Sequence, residues 1–113
     1  MTDEITFEDF AKIDIRTGTI TAAELNTKAH KPAYILTIDF GLQLGVKTSS
    51  AQLTQNYTPE DLIGKQVVAV VNFPPKRIAG IKSEVLVLGA VSPEDDVVLL
   101  EPTFHTIDGA RIS

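Results

Sequence analysis

Three observations predict an all-β fold with only short helices. Apolar runs are short and β-branched, as at 67–71 and 85–91, and turn signals containing Gly, Pro or Asp separate them. Between the third and fourth runs lies one well-formed helical turn signal, Thr58-Pro59-Glu60-Asp61. The first strand carries a glycine, Gly18, at which a long strand can bend to close a small barrel. Five strands in this arrangement form the pattern of a five-stranded OB-fold Greek-key barrel spanning residues 1–113 as a single domain.

Each element has a local cause. Thr6 with Asp9 three residues later forms a capping box, and Phe7, Phe10 and Ala11 share one face, which predicts a helix over 6–12. From Ile13 the period becomes two, with Ile13, Ile15, Thr17 and Thr19 alternating against Asp14, Arg16 and Gly18; this is strand one, with Gly18 its bulge or bend. Residues 33–40 form strand two and 46–51 strand three, with Gly41 and Gly45 between them. Thr58 caps a turn that begins with Pro59, has carboxylates in its first turn and stops at Gly64. Residues 66–71 and 85–91 are strands four and five, and 97–100 form a short further strand. In the tail, Asp108-Gly109 marks a turn between Ile107 and Ile112.

Composition narrows the function. The chain has no Cys and only two His, His30 and His105, so no thiolate metal site, disulfide framework or thiol catalysis is expected, and no cofactor is implied. Ser49 and Ser50 have no histidine near them in sequence to activate them, and no Gly-rich phosphate loop is present; the expectation is a protein that is not an enzyme. No apolar stretch reaches the roughly 20 residues of a membrane span, and the acidic N-terminus is unlike a signal peptide, so a cytoplasmic location without membrane insertion is expected.

The formal charge of −5 opposes phosphate binding by the whole chain, but the distribution is uneven. Residues 1–14 and residues 91–113 each carry a net of −4, and the stretch between them a net of +3. Local potential governs association more than the sum does.

The most pointed feature is the connection over residues 72–85, which holds Lys76, Arg77 and Lys82 against only Glu84. About a dozen residues between two buried strands exceeds the usual hairpin loop of roughly 2 to 5, and long structured loops on rigid sheets concentrate binding sites. Asn72 and Ser83 bracket it with hydrogen-bonding groups. Core packing is not expected to absorb Phe73, Pro74 and Pro75 together; an exposed apolar edge there suits the side chains of an unfolded polypeptide, and the two prolines preorganise it. The bland alternatives are solubility for the cations and loop rigidity for the prolines. Phe40 is expected in the core. Phe7 and Phe10 on a surface helix would leave an apolar patch, which pairing of two chains through the N-terminal helix and the C-terminal tail would bury; plugging of the barrel's own open end is the alternative.

Ordered segments across almost the whole chain resemble the tRNA-binding OB domain family, found at the ends of some aminoacyl-tRNA synthetases and in free-standing dimeric proteins. They are Asp14-Ile15-Arg16 with Gly18, Lys31-Pro32-Ala33-Tyr34 with Leu36, Ile38-Asp39-Phe40-Gly41, Leu62-Ile63-Gly64-Lys65, and residues 72–88. Thr48-Ser49-Ser50-Ala51-Gln52 and Asn72-Phe73-Pro74-Pro75 are similar to the CsaA-type branch, the bacterial export-associated chaperones. The resemblance implies a non-enzymatic OB-fold homodimer that binds unfolded polypeptides or preproteins, with SecA as a partner in export. Two departures shift weight from tRNA: Ser83-Glu84-Val85-Leu86 stands where the wider family reads Ser-Glu-Gly-Met, and the chain is acidic.

The expected binding set is therefore Arg16, Lys31, Tyr34, Ser49, Ser50, Gln52, Asn72, Phe73, Lys76, Arg77, Lys82, Ser83 and Glu84, with Phe7 and Phe10 at the dimer interface. A tRNA-binding protein using the same face and cations is the rival function. A purely structural dimerisation module is the third.

Overall fold

The computed structural model describes residues 3–94 and 96–113. Five strands, β1 (Ile15–Leu25), β2 (Tyr34–Asp39), β3 (Val46–Ala51), β4 (Gln66–Val70) and β7 (Leu86–Val87), make one antiparallel sheet in the order β3-β2-β1-β4-β7. It curls almost closed, giving the predicted OB-type barrel. Two small ribbons are added: β5 (Lys76–Ile78) with β6 (Ile81–Ser83), and β8 (Gly89–Ser92) with β9 (Asp96–Leu99).

Strand β1 serves both halves of the barrel. Its first half pairs with β4, from Ile15 opposite Val70 to Thr19 opposite Gln66, and from Thr19 onward it pairs with β2. The irregularity that lets it turn lies between Ile20 and Ala22, not at Gly18 as the sequence implied. Gly18 has another role: a Cβ there would stand 2.7 Å from Ile38 Cγ2 and from the Phe40 ring. The glycine is the hollow into which the largest fully buried side chain, Phe40, packs. Phe40 is buried as expected, with Ile20, Leu36, Ile38, Leu62 and Val67 around it.

Where β2 leaves β1, the C-terminal tail takes its place along that edge. Gly109 N–H donates to Thr17 O (2.7 Å), Thr17 N–H to Ala110 O (3.0 Å) and Ile112 N–H to Ile15 O (2.9 Å). Two buried polar side chains fasten it further: Thr17 Oγ1 donates to Ile107 O, and the Gln66 amide exchanges bonds with both backbone groups of Thr106. Their hydrogen-bonding capacity is met by this tail, which accounts for polar residues inside a small core.

Both helices are single turns held by capping boxes. In α1 (Phe7–Ala11) Thr6 and Asp9 exchange bonds, and in α2 (Pro59–Leu62) Thr58 and Asp61 do the same. The backbone and side-chain bonds from Thr58 hold the Asp61 carboxyl below its ordinary value. Helix α1 buries no residue, so it does not plug the barrel; its end lies against the tail, where Arg111 Nη2 donates to Ala11 O.

The run 85–91, read as one strand, is divided. Val85 precedes the short β7, and after Val87 the chain is held to β4 by Leu88 N–H donating to Val68 O before it leaves in the β8–β9 ribbon.

Replacing Gly18 by Ala forces the Phe40 ring and Ile38 to shift. Chemical or thermal unfolding of Gly18→Ala should show a loss of about 1–3 kcal/mol, the usual cost of overpacking. Gly45→Ala meets no atom within 4 Å and loses stability only through its positive φ of 76°.

Candidate binding site

The 72–85 connection is a folded unit. Its middle is the β5–β6 ribbon, closed by a two-residue turn at Ala79 and Gly80 with φ of 48° and 87°. Positive φ at both central residues is the hairpin geometry that matches strand twist. The buried Asn26 pins the turn, its Nδ2 donating to Ala79 O while its Oδ1 accepts from Lys28 N–H. Thus the ribbon tip is tied to the β1–β2 loop, and the Lys28 side chain lies along Gly80.

Cross-strand register sorts the ribbon's side chains into two faces. Lys76 stands opposite Ser83 and Ile78 opposite Ile81, while the intervening pair, Arg77 opposite Lys82, faces the other way. Lys76, Ile78 and Ser83 of the first face, together with Phe73, Pro74, Pro75, Glu84, Val85 and Leu86, wall a largely apolar hollow of about 550 Å³. That volume lies within the range of ligand pockets, roughly 300–1,000 Å³. Phe73 keeps 53% of its surface exposed at the rim. On the second face two like charges stand directly opposite each other, an arrangement that costs stability in a sheet.

The base of the hollow is joined to β3 largely through side chains. Thr48 N–H donates to Glu84 Oε1 (3.1 Å) and Ser50 N–H to Ser83 Oγ (3.0 Å), in place of strand carbonyls. Glu84 N–H donates to Thr48 O (2.8 Å), Thr48 Oγ1 to Lys82 O (2.6 Å), and the buried Ser49 Oγ to Val85 O (3.0 Å).

These contacts divide the expected binding set. Phe73, Lys76, Ser83 and Glu84 line the hollow, Ser83 and Glu84 also bonding to β3. Arg77 and Lys82 are exposed on the ribbon's other face. Lys31, Ser50 and Gln52 lie in an adjoining recess with Lys28, His30, Ile78 and Ala79. Tyr34 is buried and donates its hydroxyl to Tyr57 O (2.7 Å), and Ser49 is equally buried. Asn72 Oδ1 accepts from Asp14 N–H and its Nδ2 donates to Lys12 O, which clamps the α1–β1 joint to the start of the loop. Arg16 is elsewhere: its guanidinium bonds Asp14 (2.6 Å) and Gly109 O (3.1 Å) beside a small hollow edged by Leu42 and Ile107. Phe7 is 75% exposed and Phe10 half-buried, their ring centroids 6.4 Å apart.

Sequence reasoning missed Ile78, Val85 and Leu86 as walls, and Lys28 and His30 as neighbours of Lys31. Ala79-Gly80 between two three-residue segments was the signal for the ribbon, and with it for the inward face of Ile78. Among the described residues no cluster of three metal-ligating side chains occurs, and no helix is long and apolar enough to cross a membrane.

Fold and site together define a small OB-type binding module. Residues 15–111 match the family described as "Putative tRNA binding domain". Over 110 residues, 97% of the chain, it is 40% identical to a methionine–tRNA ligase of Methanococcoides burtonii. The chain spans about a sixth of the length of the ligases it matches, so that likeness is confined to one domain. Among solved structures, chaperone CsaA from Bacillus anthracis superposes with a TM-score of 0.92 at 58% identity, covering 98% of this chain and 100% of that one. CsaA from Picrophilus torridus gives 0.91 at 52% identity, covering 97% and 100%. The chain belongs to the tRNA-binding domain family and is a CsaA-like member of it.

The contacts separate clamp from surface. Asn72→Ala should lower unfolding free energy by about 1 kcal/mol, because two backbone groups lose their partner. The double variant Lys76→Ala, Arg77→Ala should stay within about 0.5 kcal/mol of the parent. Denaturant titration of the three proteins checks both.

Proposed function

We infer that this protein is a non-enzymatic, cytoplasmic binding module whose ligand is unfolded polypeptide, acting as a chaperone for preproteins in export, with SecA as the machinery it serves. One observation carries the reading. The 72–86 segment encloses an apolar hollow of about 550 Å³, open to solvent and edged by an exposed Phe73 and by Lys76. Exposed apolar surface of this kind is kept for a partner. A wall of Phe, Pro, Ile, Val and Leu accepts side chains without demanding a sequence, and Lys76 adds attraction for carboxylates. The CsaA likeness supports the same reading.

Recognition of tRNA is the second reading. It is supported by the family match and by the outward pair Arg77 and Lys82, which has no ion-pair partner among the described residues. Phosphate binding would relieve the repulsion between them.

Dimerisation belongs to the proposal. Ile5, Phe7, Leu42, Phe104 and Ile107 are all strongly exposed, and α1 and the 41–45 turn each adjoin the tail. Burying them against a second copy would remove that apolar surface from water and place two hollows on one particle, giving avidity from weak sites.

A salt titration separates the two ligands. Binding of a reduced, alkylated protein should change little between about 0.05 and 0.2 M salt, whereas tRNA binding through several phosphates would fall by about 10³-fold. Tight tRNA binding with that slope, and no capture of the unfolded protein, would contradict the chaperone reading. Sedimentation should find a dimer at micromolar concentration that Phe7→Ser shifts toward monomer; a monomeric parent protein would refute the interface.

A further inference from the structure

The apolar hollow has a neighbour. A second one, of about 310 Å³, is walled by Leu53, Val87, Val91, Val97 and Leu99, and the two share a single large side chain, Leu86. Leu86 is half exposed, at 49%, and lines both of them. The recess holding Lys28, His30 and Lys31 touches both: it shares Ile78 with the first hollow and Ser50 and Gln52 with the second. Two apolar depressions and one cationic recess therefore adjoin one another through these shared residues.

Resting on the polypeptide reading above, we propose that each protomer binds an extended acidic segment through two large apolar side chains at positions i and i+2, straddling Leu86. Side chains packed on both flanks of one leucine, each at a carbon contact distance of about 4 Å, lie roughly 8–10 Å apart once the leucine's own width is included. The stride of two residues in an extended chain, about 6.8 Å, meets that spacing with an outward splay. Adjacent residues of a strand point to opposite sides and cannot fill both hollows. Charge selects the rest of the segment. Lys76 at the first hollow and Lys28 and Lys31 in the recess have no ion-pair partner among the described residues, so carboxylates flanking the anchors meet them.

The test uses three labelled acidic twelve-residue peptides and fluorescence anisotropy on the intact protein. The first carries Leu at i and i+2, the second at i and i+1, and the third one Leu alone. The first should bind about tenfold or more tightly than the other two. Val91→Asp alters only the second hollow at a residue 77% exposed, so the fold tolerates it. It should abolish that advantage, lowering the double-Leu peptide's affinity by more than the single-Leu peptide's, since repulsion by the added carboxylate weakens both acidic peptides alike. Equal affinity for all three peptides, or an advantage that survives Val91→Asp, would overturn the two-anchor inference while leaving capture of polypeptide intact. No binding of any of them, nor of an unfolded protein, would overturn the polypeptide reading itself.

Discussion

The join between β3 and residues 82–85 is the constraint on which the site depends. A strand at the edge of a sheet has backbone donors that must be met, and here Ser83 Oγ and the Glu84 carboxylate meet those of Ser50 and Thr48. Because side chains do this work, the backbone of 82–85 need not run flush with β3. It is free to carry the ribbon and to leave the space between ribbon and Phe-Pro-Pro segment empty. Continuous strand pairing would close the barrel and fill the hollow. The same bonds keep β3's outer edge from being offered to another chain as an unpaired template.

A second consequence is the separation of charge from apolar surface. Over residues 72–85 the cations read as one cluster, but the period of two along a strand sends Lys76 to the hollow and Arg77 and Lys82 to the opposite face. The apolar surface is thus not interrupted by two of the three cations. Pinning of the ribbon tip by Asn26 fixes which face looks inward. Preorganisation of this kind reduces the ordering cost of binding, which matters for a ligand that must itself be ordered.

Most of the barrel was legible in the residues because each signal was local. Thr6 announced a capping box and Thr58 an N-cap, the run over 34–38 announced β2, and Phe40 and Phe73 went to the core and the surface as their neighbours implied. What was not legible depended on partners distant in sequence. Gly18 reads as a bend until Phe40 is seen packed against it, and Asn72 reads equally as a ligand contact or as a residue that holds the loop until it is seen bonding Lys12 and Asp14. Val85 to Val91 is a uniformly β-forming run, and nothing in its composition marks the point where it leaves the barrel for a ribbon. The ribbon over 76–83 was hidden by charge: a stretch rich in Lys and Arg between strands reads as loop, although Ala79-Gly80 supplied its turn.

The central claim is that polypeptide enters the hollow framed by residues 73–86. Amide and methyl NMR shifts, followed while unlabelled unfolded protein is titrated into isotopically labelled chain, test it most directly. The account predicts perturbations centred on Ile78, Val85 and Leu86, with residues 104–111 and α1 unchanged. Perturbations confined to α1 and the tail, with the hollow silent, would contradict it.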